Sequence, residues 1–257
     1  MNQNSKEWCW RSNLYSQAQM ELRQRRSMPI SWQLDAFNLA KGKVSEKGFP
    51  CPFGKRAMRN QQVWFGFVDC STGNAYSELV DILQRYTKLY KASLHPHNLY
   101  FPLLISVRSP AEVKTLEDYN NFGWALLQHL HNLDEEPWPE KTPKNPDDSL
   151  WSFAFNGMQL FVNISTPMHI TRVSRNFGPN LALVINPREN FDYVAGNTPA
   201  GNKVRQKIRE RLRDYDGIEV CRNLGTYGVE SNLEWKQYAI PDADYSVALS
   251  KCPIHIK

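Results

Sequence analysis

The chain has 257 residues, of which 41% are hydrophobic and 12% aromatic, and its formal net charge at pH 7 is +5. This composition is typical of one large or two small globular domains, and the modest charge gives no indication of nucleic-acid binding. No apolar run approaches the roughly 20 residues that a membrane-spanning helix needs. The polar N-terminal sequence lacks the apolar stretch of a secretory signal, so we expect a cytoplasmic protein without a membrane partner.

The first 30 residues are polar and basic, with Arg23, Arg25 and Arg26 close together, and we expect an entry helix or an N-terminal arm there. Two prolines and a glycine at 49–54 predict a tight non-helical turn. Hydrophobic spacing then predicts further elements in this order: a short helix over 55–60, a strand over 63–68, a helix over 75–90, a strand over 101–107, a helix over 116–132, a hairpin over 151–164, a strand over 181–185 and a basic amphipathic helix over 204–215.

Asn156 and Gly157 separate the two strands of the predicted hairpin, and both residues accept the positive φ of a type I′ turn. The predicted elements mix helices with this hairpin and show no regular alternation of strand and helix. We therefore predict an α+β fold, in which a mainly antiparallel sheet is flanked by helices. Because no break in composition marks a second domain, residues 1–257 are expected to form a single domain.

Cysteines and histidines give little sign of a conventional metal site. The five cysteines are widely spaced without a C-x-x-C pair, so neither a disulfide framework nor a finger-type zinc site is expected. His95 and His97 flank a proline in a predicted turn, but no carboxylate nearby completes a ligand set. His129 and His131 are two residues apart on a predicted helix, so their side chains point to different faces.

The loop at 166–178 carries the first candidate site, because His169, Arg172 and Arg175 follow a predicted strand at intervals of three residues. A neutral imidazole is a good iron ligand, and arginines pair bidentately with carboxylates such as haem propionates. From the residue types alone, a surface loop with scattered charges is the more frequent explanation.

Cys51 and an acidic step at 134–136 are two further candidates. A thiolate in the proline-flanked turn would ligate haem or act as a nucleophile, although a buried structural cysteine is the simpler interpretation. Asp134, Glu135 and Glu136 precede a Pro-Trp pair. Carboxylates beside an aromatic ring would hold a guanidinium or ammonium group, whereas solvation of a helix end is the ordinary alternative.

Three parts of the sequence resemble signatures of the YqcI/YcgG family. The first is FPCPFG at 49–54 with WFGFVD at 64–69, and the second ends in DEEPWP at 134–139. The third is TPMHITRVSRNFGP at 166–179 with NPRENF at 186–191. The family includes haem-dependent N-hydroxylases of guanidino compounds, which act on L-arginine in one branch and on a cyclic guanidine in another.

The resemblance implies a monooxygenase that N-hydroxylates L-arginine or a cyclic guanidine, using haem b, O₂ and an external electron donor. It makes His169 the expected axial iron ligand, with Cys51 as a rival, and places Arg172 and Arg175 at the haem propionates. The haem would supply the difficult chemistry, while the protein supplies ligation, orientation and exclusion of water.

The same resemblance suggests how the substrate is held. The guanidinium would lie against the acidic step at 134–136, whose three carboxylates are expected to be catalytic. Other substrate contacts are expected from one acid, three aromatic walls and a cation for the α-carboxylate of arginine: Asp69, Trp64, Trp138, Trp151 and Arg188.

Two other interpretations remain open. A haem-binding sensor or carrier without oxygenase activity would use the basic arm or the 204–215 helix as a partner surface, and a homodimer is also considered. A haem-free enzyme would use Cys51 as its nucleophile, but the sequence offers no general base near it.

Overall fold

The computed structural model of the chain describes residues 13–26, 31–93, 101–243 and 249–256. Within these ranges the strands are β1 (Leu14–Ser16), β2 (Trp64–Asp69), β3 (Leu103–Arg108), β4 (Ala154–Phe155), β5 (Met158–Ser165) and β6 (Leu181–Pro187). They form one sheet in the order β1-β2-β3-β6-β5-β4. β2 and β3 are parallel and the other four pairings are antiparallel, which confirms the predicted α+β fold with a mainly antiparallel sheet.

Seven helices are described: α1 (Gln17–Arg25), α2 (Trp32–Ser45), α3 (Pro52–Arg59), α4 (Ala75–Ala92), α5 (Leu116–Asn132), α6 (Arg188–Ala195) and α7 (Pro199–Asp216). Several helices begin at a capping residue whose side chain accepts a hydrogen bond from a backbone N–H of the first turn. Ser31 caps α2 in this way, and Thr198 caps α7. At α5, Thr115 and Asp118 form a reciprocal capping box. α2 and α6 were not predicted, whereas α5 has the bounds that its hydrophobic spacing predicted.

The two faces of the sheet carry different side chains. Along β5, Leu160, Val162 and Ile164 are fully buried in a core with α4 and α5. α5 approaches this face closely at Gly123, where a Cβ atom would lie 2.7 Å from Ile164 Cγ2. The opposite face packs against α1, α2 and α3 through a second core that includes Phe65 of β2. Because successive side chains of a strand point to opposite faces of the sheet, the second face carries the residues that alternate with those of the α4–α5 core.

The predicted hairpin turn is confirmed. Asn156 and Gly157 have φ of +54° and +66°, as the predicted hairpin turn between β4 and β5 requires. Part of the predicted N-terminal arm forms β1 and α1, and β1 pairs with β2 at the edge of the sheet. The predicted turn at His95 and His97 lies outside the described residues.

Among the helices of the described ranges, none combines the length and the apolar character that crossing a bilayer demands.

Candidate functional site

A cavity of about 350 Å³ lies on the second face of the sheet, in the size range of small-molecule sites. Its walls come from α3, β5, β6, α6 and α7 and from residues 216–240. Phe161 and Asn163 of β5 contribute to the lining because they alternate along the strand with the buried Leu160, Val162 and Ile164. Most of the wall is apolar, with residues such as Phe53, Phe177 and Leu212.

Cys51 lies in the cavity wall at the N-terminus of α3. Its Sγ accepts a hydrogen bond from the backbone N–H of Gly54 at 3.3 Å. Burial raises the pKa of this thiol, while the backbone N–H groups of Gly54 and Phe53 oppose that shift. The sulfur is thus a neutral thiol in this environment, and N–H donors are already in place for its thiolate form.

Cations outnumber anions in the lining of the cavity. Two carboxylates, Asp216 and Glu234, face five arginines: Arg172, Arg175, Arg188, Arg205 and Arg209. This excess of positive charge favours an occupant that carries anionic groups. Arg172, Arg175 and Arg188 were predicted as site residues, and the structure brings all three to the cavity together with Cys51.

Arg175 is buried, yet its hydrogen bonds go to neutral acceptors. Nη1 donates to Asn163 Oδ1 at 2.6 Å and to the Tyr238 carbonyl at 3.1 Å, and Nη2 donates to the Gln237 carbonyl at 3.1 Å. Burial lowers the pKa of Arg175 to about 10, so the guanidinium is still charged at neutral pH. A buried cation beside a cavity is a suitable partner for an anionic group of a ligand.

The loop that carries Arg172 is fixed in place by an acidic side chain. The carboxylate of Asp242 accepts the backbone N–H groups of Thr171 and Arg172 at 2.9 and 2.8 Å. The guanidinium of Arg172 donates to the carbonyls of Pro241 and Glu219 at 3.0 and 2.9 Å. These contacts hold the loop between β5 and β6 against the segment that follows α7.

A buried charge pair closes another part of the cavity. Glu234 Oε1 accepts hydrogen bonds from Ser152 Oγ at 2.6 Å and from the Tyr238 hydroxyl at 2.9 Å. Its other oxygen, Oε2, lies 2.9 Å from Arg188 Nε. Burial raises the pKa of Glu234 to about 7, against the opposing effects of Arg188 and of the two hydroxyls. Arg188 also lies with Cζ 3.8 Å from the centre of the Tyr227 ring.

His169, the predicted axial ligand, is fully buried and does not line the cavity. Its Nε2 lies 3.0 Å from the Ile240 carbonyl, and its Nδ1 lies 3.0 Å from Thr166 Oγ1. Because a carbonyl only accepts, Nε2 carries the proton and Nδ1 accepts from Thr166. Burial lowers the pKa of His169 to about 4, so the ring is neutral. Binding iron would require one of these hydrogen bonds to break, and the ligand role stays a prediction.

The predicted catalytic carboxylates do not line the cavity either. Asp134 Oδ2 accepts the backbone N–H of Asn156 at 2.8 Å, and Oδ1 accepts that of Glu136 at 3.1 Å. Burial raises the pKa of Asp134. Glu135 and Glu136 are exposed. The acidic step at 134–136 therefore supports the hairpin, because Asp134 accepts the backbone N–H of Asn156 in its turn. The structure does not bring the acidic step to the arginines of the cavity.

The remaining predicted substrate contacts are also distributed elsewhere. Asp69 caps a short 3-10 helix through Ser71 and pairs with Arg108 at 3.0 Å. Trp151 is fully buried and stacks on Trp138 with ring centres 6.3 Å apart. Trp64 lies on β2, where it packs at the border of the α4–α5 core. None of these four predicted residues lines the cavity.

Glu234, Tyr227 and Asn163 are cavity residues that the sequence analysis missed. The segment 216–240 shows few hydrophobic periodicities, and most of it forms irregular structure. One signal was present: Glu234 and Tyr238 are four residues apart in an aromatic segment, and their side chains form a hydrogen bond.

Among the described residues, no three His, Cys, Asp or Glu side chains converge as a metal site, although haem iron needs only an axial ligand.

Three known proteins are similar to the chain over most of its length. A Streptomyces lavendulae protein named "Putative N(omega)-hydroxy-L-arginine synthase DcsA" is 41% identical over 223 residues, which cover 86% of this chain and 83% of that protein. The uncharacterized Bacillus subtilis (strain 168) proteins YqcI and YcgG are 35% and 34% identical, covering 94% and 86% of this chain and 94% and 87% of their own.

No solved structure is significantly similar to the chain. The model of the YqcI/YcgG family matches residues 40–255, a range that includes every wall of the cavity. The three signatures in the sequence had indicated the same family. The chain therefore belongs to the YqcI/YcgG family.

Proposed function

We propose that this protein N-hydroxylates the guanidino group of L-arginine or of a related guanidine, in a reaction that depends on haem b held in the cavity. The observation that carries the proposal is the 41% identity to a relative named as an N-hydroxy-L-arginine synthase, which extends over 86% of the chain. The cavity supports it, because an enzyme of this kind needs an enclosed site that excludes water.

The cavity residues fit a haem in three respects. The apolar walls suit the faces of a porphyrin, and the excess of arginines suits its propionates. Cys51 supplies a sulfur in the wall, with the backbone N–H of Gly54 as a hydrogen-bond donor to it. When bound, haem supplies the redox chemistry that activates O₂ with electrons from an external donor.

The chain's own residues would then divide the remaining tasks. Cys51 would ligate iron from the cavity wall, while Arg172 and Arg175 would hold propionates. His169 would act indirectly, since its ring joins Thr166 to Ile240 and so positions the loop that carries both arginines. α7, with Ile208 and Leu212 in the lining, would exclude water.

The proposal is tested with purified protein that has been reconstituted with hemin. The reconstituted protein is incubated with L-arginine, a reductant and O₂, and the products are analysed by mass spectrometry. We expect a product one oxygen atom heavier than arginine. Tight hemin binding without a product from L-arginine or from cyclic guanidines would instead favour a haem sensor or carrier, and a protein that binds no hemin would contradict the proposal.

A further inference from the structure

Glu234 lies in the wall of the cavity, where one carboxylate oxygen accepts two hydrogen bonds and the other faces a cation. Oε1 accepts both the Ser152 and the Tyr238 hydroxyls, at 2.6 and 2.9 Å. Oε2 instead faces Arg188, 2.9 Å from its Nε. Only 2% of Glu234 is exposed, so a cation at Oε2 is hardly screened by water. Two hydroxyls thus orient a buried carboxylate toward a single cationic position.

The cation at that position is a guanidinium that belongs to the chain itself. Arg188 lies over the Tyr227 ring at 3.8 Å, which is the stacking arrangement that planar guanidinium groups favour. Its Nε, however, is buried without an aligned hydrogen bond, even though Oε2 is close. Arg188 also has a second partner, since Nη2 pairs with Asp192 at 2.9 Å. Asp192 is about half exposed, and its contact with Arg188 does not involve Glu234.

We propose that Glu234 is the binding site for the guanidino group of the substrate, and that Arg188 occupies this site until the substrate displaces it. This assignment rests on the proposed function and identifies the group that holds the substrate. The incoming guanidinium takes the place of one that is already there, so Glu234 keeps one cationic partner. Arg188 stays on Asp192 and becomes available to a carboxylate of the substrate.

The other acid in the lining is less suited to this task. Asp216 accepts the backbone N–H and the hydroxyl of Ser174, at 2.8 and 2.7 Å on its two oxygens. Both of its oxygens are therefore committed to the 173–175 turn. Glu234 also has Tyr227 beside it in the cavity, and an aromatic face next to a carboxylate selects a planar cation over a compact ammonium.

Removing the built-in guanidinium gives a direct test. In Arg188→Ala, guanidinium chloride at low millimolar concentration should bind and raise the melting temperature, whereas wild-type protein should respond at least about tenfold more weakly. Urea, a neutral molecule of the same shape, and sodium chloride at equal ionic strength are the controls. The double variant Arg188→Ala with Glu234→Gln should lose the response, because the carboxylate is gone.

Equal responses to guanidinium and urea, or a response that survives Glu234→Gln, would overturn the assignment. If Arg188→Ala does not fold, Arg188→Gln repeats the experiment with a side chain of similar length. A second measurement uses calorimetry of L-arginine binding to protein with intact Arg188. Glu234→Gln should weaken this binding by roughly ten- to a hundredfold, as for a lost hydrogen bond to a charged group. Glu219→Gln, an exposed acid outside the lining, should not.

These outcomes distinguish a failure of the Glu234 site from a failure of the proposed function. Guanidinium binding that depends on Glu234 but is not followed by hydroxylation would retain this site and contradict the proposed reaction. Hydroxylation of arginine by Glu234→Gln with unchanged arginine affinity would retain the proposed reaction and contradict the assignment of Glu234.

Discussion

Arg175 donates a 2.6 Å hydrogen bond to the side-chain oxygen of Asn163, across the space between the loop after β5 and the cavity face of β5 itself. The same guanidinium reaches the carbonyls of Gln237 and Tyr238, so one buried cation joins the sheet to the segment that carries Glu234. The position of Glu234 in the cavity therefore depends on Arg175, although the two side chains are not in direct contact.

Replacing Arg175 by alanine should lower the free energy of unfolding by about 2 to 4 kcal/mol, because a buried side chain and its hydrogen bonds to Asn163, Gln237 and Tyr238 are lost. Urea unfolding measures this difference. Arg213→Ala is the matched control, since Arg213 is exposed and pairs with an exposed Glu219, and its effect should stay within about 0.5 kcal/mol. Equal losses in the two variants would show that the contacts of Arg175 do not stabilise the fold.

His169 should make the protein less stable in acid. Its pKa is lowered from 6.5 to about 4 in the folded state, so below about pH 6.5 the unfolded chain binds a proton that the folded chain does not. This contribution is fully present above pH 6.5 and is lost as the pH falls toward 4, by about 3 kcal/mol in total. His169→Gln should remove that part of the slope in urea unfolding across this range. An unchanged slope would contradict the neutral buried ring.

Glu234 should act in the opposite direction. Its pKa is raised from 4.5 to about 7, so its contribution is fully present below about pH 4.5 and is lost as the pH rises through 7. Relative to wild type, Glu234→Gln should therefore become progressively more stable between pH 4.5 and 7, by up to about 3 kcal/mol. The two groups partly cancel in the wild type. A stability difference that is constant with pH would show that Glu234 titrates normally.

Cys51 and His169 make opposite predictions for haem binding. If Cys51 ligates iron, Cys51→Ala should weaken hemin binding and move the Soret band of the ferrous–CO form, while His169→Gln keeps the wild-type band. Cys70→Ala is the control, because Cys70 is also partly buried but lies in a 3-10 helix that does not line the cavity. A band shift in His169→Gln alone would favour the histidine as ligand.

Local patterns in the sequence were sufficient for most of the fold. The turn at Asn156 and Gly157 depends on the backbone preferences of two neighbouring residues, and α5 depends on apolar spacing within 17 residues. The unpredicted α2 also carried a usable signal, because Ala36, Phe37, Ala40 and Val44 are buried at helical spacing.

The candidate site was only partly predictable, because it is built from distant segments. The Arg172 and Arg175 loop and Cys51 were identified from short motifs, and Arg188 from a resemblance. Glu234 reaches the cavity only through the packing of an irregular segment, which no periodicity reveals. The surroundings of His169 were unpredictable for a related reason, since its partner at Ile240 is 71 residues away and cannot be inferred from spacing.

The most direct test of the proposed function is incorporation of labelled oxygen. Hemin-reconstituted wild-type protein is supplied with L-arginine, a reductant and ¹⁸O₂, and the product is analysed by mass spectrometry. The proposed function predicts an N-hydroxylated arginine that carries one ¹⁸O atom in its guanidino group. An unmodified arginine, or an oxygen that comes from water instead of O₂, would contradict it.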